Sequence, residues 1–232
     1  MRVCVVSKFP PIEGGIAART YWQVRRLLDD GHEVAVVTNS GSVEPEYRIA
    51  GCEEHLDWLV RDRGLRLHDI SGPVPWHVPE SSGYLERLLN ELLGVLRSGE
   101  WDVIESGYLV PYGIAGHLAS KLTGVPHVVH HGGSDIAKFL EHPAYATLLR
   151  DVLLDAQVVV TDDDHAAIVS AVGARTEPRP VYEIDESAFR PGERRVGQSR
   201  VCAYVGKINY HWRRKGLDQI VDWYAGQDCG RV

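Results

Sequence analysis

Short apolar runs and longer stretches of helical period take turns along this chain. Val3, Cys4, Val5 and Val6 form an unbroken apolar run, the signature of a strand in a parallel sheet covered on both faces. Residues 33–38 (EVAVVT), 65–70, 101–105 (WDVIE), 126–131 (PHVVHH), 157–161 (QVVVT) and 180–184 (PVYEI) repeat it. Between these runs the apolar positions fall three and four apart. Ala17, Tyr21, Val24 and Leu28 predict a first helix, residues 54–60 a second, and Tyr84, Leu85, Leu88, Leu89, Leu92 and Leu96 a third, ended by Ser98-Gly99. Residues 111–122, 134–154 with a break near Pro143, and 162–172 predict three more. Strand and helix alternating this regularly predict an α/β fold, a doubly wound parallel sheet of Rossmann-like type.

The pattern changes past residue 185. Residues 186–199 read as a linker, polar and glycine-containing from Glu193 to Ser199. A fresh apolar strand at 200–205 and a helical stretch through Leu217, Ile220, Val221 and Tyr224 then read as the start of a second Rossmann-like domain, incomplete at Val232. The expected organisation is a first domain over 1–185, the linker, and the opening of a second over 200–232. Pro73, Pro75 and Pro79 keep 71–80 out of regular structure.

Composition narrows the class. With 232 residues, 44% hydrophobic and 25% charged, the chain has enough apolar material for a full core and is not disordered. A net charge of −7 argues against nucleic acid as the main partner. The four cysteines are scattered without C-x-x-C pairs, the usage of small hydrophobes in a reducing compartment. No apolar run approaches the roughly 18 residues of a membrane span, and the expected location is the cytoplasm, including the inner face of the membrane.

The candidate chemistry begins at the first strand-to-helix turn. Pro10 and Pro11 break regular structure, and Gly14-Gly15 stand where the first helix starts. A helix N-terminus with bare glycine backbone offers unpaired N–H groups and a positive dipole end to a phosphate or carboxylate. A glycine pair also serves turns that bind nothing, and this stretch alone does not choose. The dinucleotide fingerprint is absent: there is no G-x-G-x-x-G, and the second strand ends Val37-Thr38-Asn39 without the acidic residue. His130 and His131 come at the carboxyl end of the fifth strand, where doubly wound sheets place their ligands, and strand alternation turns only one toward a given side. Asp162-Asp163-Asp164 directly precedes a helix, so capping is favoured over metal binding. Asp135 reads as a helix cap or an acceptor contact.

Taken in order, the first strand with its Pro/Gly loop, HHGGSD (130–135), IDESAFRPG (184–192) and YVGKINYHWRRKGLD (204–218) resemble family 4 glycosyltransferases of the GT-B fold. In the connector Asp185, Phe189 and Pro191 fit the family's pattern, while Glu183-Ile184 replaces Gly-Val. The resemblance implies two Rossmann-like domains facing across a cleft, and transfer of a sugar from a nucleoside diphosphate to an acceptor with retention. No metal or cofactor is implied; the nucleotide sugar is the donor substrate. It further implies that Gly14 and Gly15 hold the donor diphosphate from one side, and Lys207 and Lys215 from the other. By the family's placing of histidine directly before glycine, His131 is the catalytic candidate, contacting the donor sugar. Ser106, Gly107, Tyr108 and Asp135 are the candidate acceptor contacts. The acceptor class is a sugar, a lipid or a small molecule, with peripheral membrane contact and self-association of the truncated chain as further expectations. The family's glutamate pair does not occur before Val232, so the chain alone is expected not to turn over. A non-catalytic module completed by another chain and a GT-B nucleotide-sugar epimerase are the alternatives.

Overall fold

The computed structural model describes residues 1–43, 47–70, 84–180, 213 and 216–226. It divides into two units, Met1–Ile184 and Asp185–Val232. In the first, a seven-stranded sheet has the order β3-β2-β1-β4-β5-β6-β7, every neighbouring pair parallel. The strands are β1 (Arg2–Val6), β2 (Glu33–Thr38), β3 (Arg66–Asp69), β4 (Val103–Ser106), β5 (His127–His130), β6 (Val158–Thr161) and β7 (Thr176–Pro178). The helices are α1 (Gly15–Asp29), α2 (Glu53–Arg61), α3 (Tyr84–Arg97), α4 (Ile114–Thr123), α5 (Ser134–Phe139), α6 (Ala146–Asp155) and α7 (Asp163–Val172). The second unit contributes α8 (Leu217–Ala225).

The unbroken apolar runs are the inner strands, and each packs both ways. Val3 and Val5 join Val34 and Val36 against Val24 and Leu28 of α1 and Leu59 of α2. Cys4 and Val6 join Ala35 and Val37 against Leu88 and Leu92 of α3 and Ala115 of α4. A third cluster sets Val129 and Val159 against Ile114, Leu149, Leu153 and Val169. Fully burying a side chain of this size contributes about 1.5–3 kcal/mol, so these faces hold the sheet and its helices in register.

Two elements differ from the pattern in the sequence. The seventh strand is Thr176–Pro178, which lies opposite Val159, Val160 and Thr161; Pro180 is irregular, and residues 181–184 lie outside the described ones. An edge strand with exposed side chains carries no apolar run, and an edge accepts Pro178. The helix predicted from Pro111 starts at Ile114. Val110 is extended, φ −115° and ψ 121°, as a residue before proline prefers.

The order reverses between β1 and β4. The connection from β1 runs through α1 on one face, and the connection from β4 through α4 on the other. Adjacent strands whose chains leave in opposite directions open a crevice at their carboxyl ends, the standard ligand position in this architecture.

Candidate functional site

Gly14 caps α1 with φ 139°, a conformation that side chains rarely adopt. Among the described residues a Cβ added to Gly14 or Gly15 would meet nothing within 4 Å, and the first turn of α1 holds no acidic residue. The turn is therefore an open, electropositive helix start. Ile16, next in the chain, lies against the end of β5: a Cβ at Gly132 would stand 3.0 Å from its Cδ1 and 2.7 Å from Cε2 of Tyr108. Tyr108 reaches on to Ser134, hydroxyl to hydroxyl at 3.2 Å. The glycine pair, Tyr108 and the HHGG turn thus share one rim at the β1–β4 crevice.

The two histidines face opposite ways. His130 turns toward the α1 side, its Nε2 3.3 Å from Oε2 of Glu105, which also accepts a hydrogen bond from Gln23. It lines a groove of about 730 Å³ with Trp22, Arg25, Val128 and Val160. His131 is fully buried. The Gly133 N–H donates to its Nδ1 at 3.0 Å, so Nε2 carries the proton and donates to Oγ1 of Thr161 at 2.8 Å. Burial and the nearby Arg179 charge push His131 down to about 4, and the ring is neutral near pH 7.

Two arginines converge on the His131 carbonyl. Arg19 donates Nη1 to it at 3.0 Å and Nη2 to the Gly107 carbonyl at 2.9 Å. Arg179 donates Nη2 to it at 2.8 Å and Nη1 to Oδ2 of Asp162 at 2.8 Å. Asp162 is the N-cap of α7, accepting from the His165 N–H at 3.1 Å, and its Oδ1 also takes Nδ1 of His165 at 2.6 Å. Burial opposes its charge, but the His165 hydrogen bond and the Arg179 and His165 charges leave its carboxyl below the usual range. The His165 ring lies over Gly133, where an added Cβ would come within 2.9 Å of Cε1, and meets the His131 ring edge-on, 5.2 Å between centroids.

The other sequence candidates take these positions. Ser106 is buried and pairs with Nε2 of His127 at 2.9 Å; burial pushes His127 down to about 3. Gly107 packs against Ser7, whose Cβ would be 2.7 Å from a Cβ at that position. Asp135, fully buried, accepts backbone N–H bonds from Leu109 (2.9 Å), Gly132 (2.8 Å) and Ile136 (3.2 Å). Lys207, Lys215 and the 186–199 linker lie outside the described residues. Arg19, His165 and Arg179 were not among the sequence candidates. His165 alone left a local signal, three residues after a capping aspartate; the arginines reach His131 across 112 and 48 residues.

Among the described residues, His131, Asp162 and His165 bring ligand atoms within 4.8 Å of one another. Both ring nitrogens of His131, Nδ1 of His165 and both oxygens of Asp162 are already engaged. A divalent cation would have to displace those bonds beside the Arg179 guanidinium, so the donor set suits a hydrogen-bonded network better than a metal.

The fold has solved counterparts, all at low identity. Sucrose-phosphate synthase from Thermosynechococcus elongatus aligns with a TM-score of 0.54 and 14% identity, over 76% of this chain and 47% of its own. MurG from Acinetobacter baumannii gives 0.43 and 17%, over 70% and 42%. UDP-GlcNAc 2-epimerase from Methanocaldococcus jannaschii gives 0.48 and 12%, over 75% and 43%. The chain spans less than half the length of each, and the likeness to the first shows the Rossmann-like fold of a GT-B domain. No protein of curated function matches the chain in sequence. Residues 14–182, from the glycine pair to just past Arg179, match the model of the glycosyl transferase 4-like domain, and the chain belongs to that family.

Proposed function

We propose that this chain forms the acceptor side of a retaining glycosyltransferase that moves a sugar from a nucleoside diphosphate to a hydroxylated acceptor, with no metal or cofactor. The observation that carries this reading is the open glycine pair at the start of α1, beside the β1–β4 crevice, where an added Cβ would meet no other element within 4 Å among the described residues. Breaking the sugar–phosphate bond leaves negative charge on the diphosphate, and N–H donors or cations aimed at it lower the barrier. Gly14 and Gly15 supply such N–H donors; Lys207 and Lys215, outside the described residues, are the cations proposed for the same diphosphate.

His131 belongs under the reacting sugar in this reading. With both ring nitrogens held by the protein, it sets the Gly132-Gly133 turn on which the sugar rests. Tyr108 is the acceptor contact of the group; Ser106, Gly107 and Asp135 shape the rim from beneath. The protein works at the cytoplasmic side, in carbohydrate biosynthesis.

The test is transfer of radiolabel from a panel of nucleoside diphosphate sugars, using the chain together with whatever coding sequence follows Val232. The anomeric proton coupling of the product then reads retention. The 232-residue chain alone is expected to bind nucleotide sugar weakly and to transfer none. Absence of transfer from every donor by the longer protein, or robust turnover by the short chain, overturns the respective claim.

A further inference from the structure

His165 is held in a fixed orientation at the rim by Asp162. Asp162 needs only its bond to the His165 N–H to cap α7. It makes a second, shorter one to the ring Nδ1, 2.6 Å. The Asp162 carboxylate, whose other oxygen accepts from Arg179, takes a hydrogen bond and gives none, so the proton of the imidazole sits on Nδ1 and its lone pair on Nε2. That atom makes no hydrogen bond among the described residues, and the His165 side chain keeps 21% of its surface exposed. Gly133 makes room for the Cε1–Nε2 edge of the ring beside the HHGG turn, where an added Cβ would come within 2.9 Å of Cε1 and 3.3 Å of Nε2. The contrast with its neighbour is complete: the nitrogens of His131 both face protein.

We propose that His165 is a hydroxyl-binding residue of the carboxyl rim, its Nε2 accepting a hydrogen bond from an uncharged polyhydroxylated acceptor, a sugar or sugar-like headgroup. This rests on the reading of the chain as the acceptor side of a sugar transferase. A lone pair fixed by an Asp162 partner repels the oxygens of a diphosphate and attracts an O–H, which separates this site from the open glycines at the start of α1. Asp162, Arg179 and His131 face the ring from α7, from the segment after β7 and from the end of β5; Asp163 and Asp164, on α7 itself, are exposed.

Diethyl pyrocarbonate acylates imidazole nitrogens that carry an accessible lone pair, and peptide mass spectrometry reads the rate at each histidine. In the 232-residue chain His165 is acylated and His131 is not. Methyl α-D-glucopyranoside, the probe, slows the reaction at His165 about threefold once it reaches twice its dissociation constant, and leaves the exposed His55 unchanged. In Asp162→Asn the tautomer is no longer imposed and the protection disappears. Failure of His165 to react, equal rates with and without the glucoside, or protection by UDP in place of the glucoside each overturns the proposal. Sugar transfer by the longer protein without protection of His165 sinks this inference alone. Protection without transfer from any donor leaves the binding site and removes the transferase.

Discussion

Gly107 shows how little room the rim leaves at the level of a single atom. Its missing Cβ admits Ser7, which is hydrogen-bonded at 2.9 Å to Thr20 of α1. Gly107→Ala drives a methyl into that contact and is expected to cost about 1–3 kcal/mol, read as a lower urea midpoint. The buried histidines make a second prediction at this scale. Burial lowers His127 to about 3, and burial with the Arg179 charge lowers His131 to about 4, from an ordinary 6.5. Above 6.5 both are neutral folded or unfolded. As pH falls the unfolded chain takes up protons that the folded chain refuses, so stability is lost from about 6.5 down to the folded values, at up to about 1.4 kcal/mol per pH unit for each. Denaturant midpoints measured between pH 7 and pH 4.5 should fall with that slope, and His127→Gln should flatten it.

Elements meet at this rim through backbone groups held by side chains. Asp135, in the first turn of α5, ties Gly132 and Ile136 of its own turn to Leu109 of the stretch after β4. Asp135→Ala strands three N–H groups, each about 1–3 kcal/mol when buried unpaired, and is expected to destabilise by several kcal/mol. Asp135→Asn keeps one acceptor oxygen and should lie between. Thermal unfolding of the two variants checks the order; equal midpoints would mean the three bonds do not hold the turns together. The sequence reading of Asp135 offered a cap or an acceptor contact. Neither describes a carboxylate that joins two turns, because one of its partners is 26 residues away. The capping role of Asp162 was legible, since its partner lies in the same turn.

For the molecule as a whole, the strand order decides where the site is. β1 and β4, one hundred residues apart at every paired position, become neighbours, and their connections leave by opposite faces. Gly15→Asp tests the consequence. With open space around Gly15 and an acid now at a helix start, α1 should gain about 0.3–1 kcal/mol. The same charge stands where the diphosphate is proposed, and nucleotide-sugar affinity should fall about tenfold or more, about 1.4 kcal/mol. Calorimetry and binding measured on one preparation separate the two; loss of both stability and affinity would point to simple damage. Among the described residues no helix is long and apolar enough to cross a membrane.

The order of strands and helices from β1 to β6, the glycine pair at the start of α1 and the cap of α7 were settled by the sequence alone. Each rests on neighbours within a few residues, and hydrophobic period, glycine backbone and capping geometry are local properties. Tertiary structure alone settled which way His130 and His131 turn, that Ser106 pairs with His127, and that Arg19 and Arg179 close on one carbonyl. Those contacts join positions brought together only by the β3-β2-β1-β4-β5-β6-β7 order, and no spacing along the chain encodes which loops will share a rim.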